Sequence, residues 1–183
     1  MTFTEGGQCT SNFVFFDAAD NVDIGQAAHC AGTGGATATI GCDTESLPLG
    51  TKVEIEGASQ PGTLAYNSWL AMQEAGETDD NACQFNDFAL VQVDPEDVDS
   101  VNPTIPVLGG PTGIDGTTTL GEKVSSYGNS SLRQGIDLLK PKVGTSLGQS
   151  AGGWMHNVLT VTPGIPVTRA AGSSTARAAP SAR

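Results

Sequence analysis

What most constrains this chain is how its apolar residues are cut into short runs. No stretch sustains a helical repeat. Segments of a few apolar or alternating residues are instead broken throughout by Gly, Asn, Asp and Pro, the residues that end strands and make turns. Candidate strands fall at residues 12–16, 23–28, 36–40, 52–55, 62–66 and 88–93, with a second group at 123–127, 136–139 and 158–161. Residues 68–75 (SWLAMQEA) form the one helical candidate. With 24 glycines and 10 prolines in 183 residues, a helical protein is disfavoured. The expectation is an all-β chain of antiparallel strands closed into a barrel or stacked as a sandwich.

The two groups of strands are separated by a Pro/Gly/Asp-rich bridge over residues 94–115, which includes Val101-Asn102-Pro103 and Leu108-Gly109-Gly110-Pro111. Such a stretch reads as a linker. The expected organisation is an N-terminal half at 1–94, a linker at 95–115, a C-terminal half at 116–166 and a tail at 167–183. The tail differs in kind from the rest. It holds three of the eight basic residues, none of the twenty acids and six alanines, with no apolar periodicity, so it is expected to be disordered.

A formal net charge of −12 leaves nothing to neutralise phosphates, so a nucleic-acid partner is excluded as the default, and an anionic membrane surface is disfavoured. The acidic stretches at 78–80 and 96–99 lack the alternating-oxygen spacing of a calcium loop and read as solvated turns. Neither a metal nor a cofactor is implied. Four cysteines (Cys9, Cys30, Cys42, Cys83) are even in number and contain no C-x-x-C pair, which favours two disulfides over a zinc or redox site. Three pairings are open on this ground alone. No window is apolar enough to span a membrane, and the first residues show no basic or apolar signal region. The cysteines nevertheless argue for a secreted, extracellular protein whose export signal is missing from this sequence, and a monomer is expected.

The strongest local motif is Gln26-Ala27-Ala28-His29-Cys30. A histidine directly before a cysteine, after two small residues at the end of a strand, resembles the catalytic-histidine motif of the chymotrypsin/trypsin family of serine peptidases. Asn86-Asp87-Phe88-Ala89-Leu90-Val91 resembles the family's Asp-x-Ala-Leu segment, in the family's order of His before Asp. The resemblance implies that His29 is the general base and that Asp87 holds its tautomer and stabilises the imidazolium. It also implies a Cys9–Cys30 disulfide, because Cys9 stands upstream where the family's partner cysteine does, and this leaves Cys42 for Cys83. The implied fold is two antiparallel β-barrels, the C-terminal one incomplete. Nothing at the start resembles the Ile-Val-Gly-Gly terminus of activated zymogens.

The run from Ser126-Tyr127-Gly128 through Trp154 to Pro163-Gly164-Ile165-Pro166 looks like the segment that leads to the nucleophile in secreted bacterial relatives. There Gly-Asp-Ser-Gly follows at once; here Val167-Thr168-Arg169-Ala170 follows. The nucleophilic serine expected just after Pro166 is therefore absent. Shifted by one base, the codons of the tail are compatible with G-D-S-G-S-G-F-L-D-G-A-G-R-A-L-G. The expectation is a chain truncated or frameshifted before its nucleophile, a peptidase by descent that cleaves no polypeptide substrate as written. The alternative is a non-catalytic pseudopeptidase acting as a secreted binding protein.

Other candidates are weaker. Gly148-Gln149-Ser150-Ala151-Gly152 matches G-x-S-x-G, but that motif needs a strand-to-helix elbow and a later acid and histidine. Ser173 and Ser174 lack a Gly-Asp context. His156 reads as a surface or loop residue, Trp69 and Trp154 as packing residues, and Arg133, Lys140 and Lys142 as solvated.

Overall fold

A computed structural model describes residues 1–5, 7–35, 38–129 and 136–161. It is mostly β, and it divides into two compact units between Asn102 and Pro103, within the Pro/Gly/Asp-rich bridge.

The first unit holds a curled antiparallel sheet of seven strands: β1 (Thr2–Thr4), β2 (Gly7–Cys9), β3 (Val14–Phe16), β4 (Val22–Gln26), β5 (Lys52–Ile55), β6 (Gly62–Asn67) and β7 (Ala89–Gln92). Their spatial order is β2-β1-β5-β6-β7-β4-β3. The two outermost strands are near neighbours in sequence, so the short segment 10–13 connects one sheet edge to the other. Strand β7 shows the period of two that a half-buried strand requires: Ala89 and Val91 are fully buried, whereas Leu90 and Gln92 are only partly so. Val53 and Leu64 supply the same face from β5 and β6. Gly62 lets β6 approach β7 closely, because a Cβ there would stand 2.7 Å from the Gln92 carbonyl oxygen.

Two helices cover this core. Helix α1 (Ser68–Ala75) occupies the expected segment. It starts where the Asn67 carboxamide oxygen accepts the Trp69 N–H (2.9 Å), and stops at Gly76, whose φ of 64° makes a left-handed cap. Trp69 and Met72 turn inward onto Ala28, Ala31 and Leu64. Helix α2 (Asp80–Phe85) has no apolar periodicity and was not expected. Asp79 caps it by accepting the Ala82 N–H (2.9 Å), and the Cys42–Cys83 disulfide ties it to the loop before β5.

The second unit contains a three-stranded antiparallel sheet of β8 (Lys123–Tyr127), β9 (Pro141–Ser150) and β10 (Met155–Thr160), with β9 in the centre. The sequence carries no signal for β9, because the residues buried along it are Gly144 and Ser146, while Val143 and Leu147 lie on the exposed side. Small residues at the inward positions give no hydrophobic alternation to read. The expected strand at 136–139 is corrected: Asp137–Leu139 is a turn of 3-10 helix with Leu138 exposed. Residues 36 and 37 of the expected strand 36–40 lie outside the described residues, and 38–40 are not extended into a ladder. Strands β1 and β2, polar and three residues each, were also unforeseen.

Candidate functional site

The most distinctive grouping of polar side chains lies where β4 ends and β7 begins. After β4 the chain tightens into a 3-10 turn, Ala28–Ala31. Ala27, Ala28 and Ala31 are all buried, and their small side chains let the backbone pack against the core while the His29 ring projects from it. Cys30 in the same turn is bonded to Cys9 at the end of β2, so the turn is stapled to the sheet edge. The Thr4 hydroxyl adds a hydrogen bond to the Cys30 carbonyl.

Asp87 arrives from the other side, two residues before β7, and both its oxygens are spent on His29. Oδ2 lies 2.6 Å from His29 Nδ1, and Oδ1 accepts the His29 backbone N–H at 2.9 Å. A carboxylate that is ionised only accepts hydrogen bonds, so in the pair formed with a neutral imidazole the ring proton sits on Nδ1 and Nε2 keeps its lone pair. Nε2 is buried and has no hydrogen-bond partner among the described residues. The next residue, Phe88, packs edge-on against Phe15 of β3 with ring centroids 5.4 Å apart, which anchors this corner to the sheet. Such an arrangement can take a proton at Nε2 and hold the resulting imidazolium against the carboxylate.

The sulfurs of Cys9 and Cys30 and a ring nitrogen of His29 all lie within 4.8 Å of one another, a spacing that would suit a metal ion. The two sulfurs are joined, however, and a disulfide has no thiolate to give a metal. Both expected disulfides, Cys9–Cys30 and Cys42–Cys83, are formed.

Other sequence-derived candidates fall elsewhere. Ser150 ends β9 and leads into a hairpin turn at Ala151–Gly153, not into an α-helix, and its hydroxyl accepts from the Asn157 carboxamide (3.0 Å). The elbow geometry of G-x-S-x-G is therefore absent at this serine. His156 lies on β10, where its Nδ1 is 3.0 Å from the Thr118 hydroxyl. Trp69 is core, but Trp154, expected to pack, is 46% exposed in the turn before β10. Lys140 is not solvated as expected: its side chain is largely covered, and its ammonium pairs with Asp137 at 2.7 Å. Arg133, Pro166, Ser173, Ser174 and the whole of 167–183 lie outside the described residues.

Three polar residues have a structural weight that the expectations from sequence do not include: Asp97, Asp23 and Gln26. Asp97, read as part of a solvated turn, is only 7% exposed. Its carboxylate accepts the Ser59 N–H (2.9 and 3.0 Å to its two oxygens) and the Gln60 N–H (2.9 Å). Those bonds hold its pKa below the ordinary carboxylate value, Ser59 contributing most. Asp23 and Gln26 on β4 are buried, and Asp23 Oδ1 and both polar atoms of the Gln26 amide have no partner among the described residues. Burial raises the Asp23 pKa, and the nearby Asp17 charge adds to the shift. An acid inside the apolar run Val22–Gln26 was the available signal for Asp23.

Compared with models of protein families, with curated proteins and with solved structures, the chain matches none.

Proposed function

We propose that this chain derives from a trypsin-like serine endopeptidase, with His29 as the general base and Asp87 as the carboxylate that orients it. The 2.6 Å contact between His29 Nδ1 and Asp87 Oδ2 carries the reading, together with an Nε2 left free of any partner among the described residues. In that chemistry a serine hydroxyl attacks the peptide carbonyl while Nε2 takes its proton and later returns it to the leaving amine, and backbone N–H groups receive the oxyanion. On this reading the curled first sheet corresponds to the N-terminal barrel of the family, and the three-stranded sheet to part of the C-terminal one. The two disulfides suit an extracellular protein.

No described serine bonds to Nε2, which accords with a nucleophile encoded in another frame after Pro166 and equally with a non-catalytic binding protein on the same scaffold. Labelling with a fluorophosphonate probe separates the readings. The 183-residue chain is expected to stay unlabelled. A chain in which residues 167–183 are replaced by the shifted-frame sequence G-D-S-G-S-G-F-L-D-G-A-G-R-A-L-G, followed by whatever the coding DNA specifies in that frame, is expected to label, and His29→Ala is expected to abolish the labelling. A folded, frame-restored chain that takes up no probe would defeat the peptidase reading, as would coding DNA in which no single-base change yields Gly-Asp-Ser-Gly.

A further inference from the structure

The His29–Asp87 contact joins residues 58 positions apart in the chain, and its geometry is tight for a carboxylate that stands just outside a β-ladder. The β6–β7 pairing ends at Asn67 opposite Ala89, so the backbone of residues 86–88 has left the sheet before it reaches Asp87. Beyond that point one backbone bond, Ser68 to Phe88, continues across, and side chains take over.

The Asn86 and Asp87 N–H groups bond back to the Ala82 and Phe85 carbonyls at the end of α2 (3.0 and 3.1 Å), and Phe88 packs on Phe15. The side chains that reach the segment's peptide groups from across the chain belong to two consecutive residues at the junction of β6 and α1, both essentially solvent-free. The Ser68 hydroxyl donates to the Asn86 carbonyl (2.8 Å) and accepts the Phe88 N–H (3.0 Å), so it bonds to the peptide groups on both sides of Asp87. The Ser68 N–H donates to the Phe88 carbonyl (2.8 Å). One residue earlier, the Asn67 carboxamide donates to the Ala28 carbonyl (3.3 Å), directly before His29, and to the Ser46 hydroxyl (3.0 Å). Its oxygen caps α1.

We infer that Asn67 and Ser68 are the positioning residues of the pair: Ser68 sets the direction of the Asp87 carboxylate, and Asn67 sets the turn that carries His29. A hydroxyl suits the first task because it can donate and accept at once, which bridges a carbonyl and an N–H two residues apart. The interior position matters too, since bonds shielded from water hold their geometry against competition.

The inference rests on His29 and Asp87 being the working pair proposed above, but its readout does not depend on hydrolysis. A short hydrogen bond to a carboxylate moves the His29 Nδ1 proton far downfield in the proton NMR spectrum. In Ser68→Ala that resonance is expected to move upfield or vanish through exchange, and the Phe88 amide is expected to exchange about tenfold faster, the worth of one hydrogen bond. Leu64→Val, a truncation in the buried face of β6, is expected to do neither. A resonance unmoved in Ser68→Ala, or moved alike in both variants, overturns the inference. If Ser68→Ala does not fold, hydrogen exchange in the unaltered chain decides: the Phe88 amide should be as protected as that of Ala89, and free exchange overturns the role of Ser68. Failure of the peptidase reading would show in the labelling experiment and leave these measurements unaffected.

Discussion

Replacing each disulfide in turn by a pair of alanines sets loop closure against burial. The Cys42–Cys83 bond spans a sequence separation of 41 and the Cys9–Cys30 bond one of 21. Loop-closure entropy alone assigns about 4 kcal/mol to the first and about 3.3 kcal/mol to the second at 25 °C. Burial acts in the other direction. Cys9 and Cys30 are 2% and 1% exposed, whereas Cys42 and Cys83 are only half-buried. A buried atom the size of a methylene is worth about 0.8 kcal/mol, so two lost sulfurs add about 1.6 kcal/mol at Cys9–Cys30 and about half that at Cys42–Cys83. Both totals come near 5 kcal/mol, and what separates them is the environment: the Cys9–Cys30 sulfurs also hold the turn that presents His29. The expectation is that each pair costs about 4–5 kcal/mol. The Cys9–Cys30 pair should cost at least as much despite its shorter loop. Urea unfolding followed by Trp69 fluorescence, in a Trp154→Phe background, measures both. Losses of about 4–5 kcal/mol in both chains, with that of Cys9→Ala/Cys30→Ala no smaller than that of Cys42→Ala/Cys83→Ala, fit the expectation. A loss below about 1 kcal/mol at either site would refute the loop-closure reasoning. A clearly larger loss at Cys42–Cys83 would refute the weight given to burial.

Three further substitutions follow from the first unit. Gly62→Ala drives a methyl group to 2.7 Å from the Gln92 carbonyl oxygen, which cannot retreat without opening the β6–β7 ladder; a loss of about 1–3 kcal/mol in urea unfolding is expected, and a neutral effect would mean that the strands are less closely packed. Asp97 and Asp23 should oppose each other as the pH falls. The folded pKa of Asp97 lies below the ordinary 3.8, so its stabilisation is complete above 3.8 and is lost as the pH drops through the folded value; Asp97→Asn should lower the Tm at pH 7 and lose its effect in strong acid. The folded pKa of Asp23 lies above 3.8, so its ionisation destabilises the fold above that folded value, and the penalty disappears as the pH falls towards 3.8; Asp23→Asn should raise the Tm at pH 7 and change nothing below 3.8. Tm profiles against pH that run in the same direction for the two variants would contradict this account.

Much of the local structure was legible from residue order alone. Short apolar runs between turn residues fixed the β class, and β5, β8 and α1 occupy the expected residues because each is a compact segment with its own propensity and clear ends. Ala-Ala-His-Cys and Asn-Asp-Phe-Ala-Leu marked His29 and Asp87 as the pair to watch, and the even cysteine count pointed to two disulfides. What sequence order could not supply was everything that depends on which distant segments meet. Strand β9 hides its inward face behind Gly144 and Ser146, so it becomes a strand only once β8 and β10 flank it. Asp97 reads as one more surface acid until the turn at Ser59–Gln60 brings two N–H groups to its carboxylate. Ser68 looks like an ordinary helix-start residue until β6 and β7 pair and lay residues 86–88 across its hydroxyl. Propensity and periodicity are properties of neighbours in the chain, which a sequence states outright. A hydrogen bond between residues far apart in sequence depends on sheet order and register, and those are settled only when the whole core packs at once.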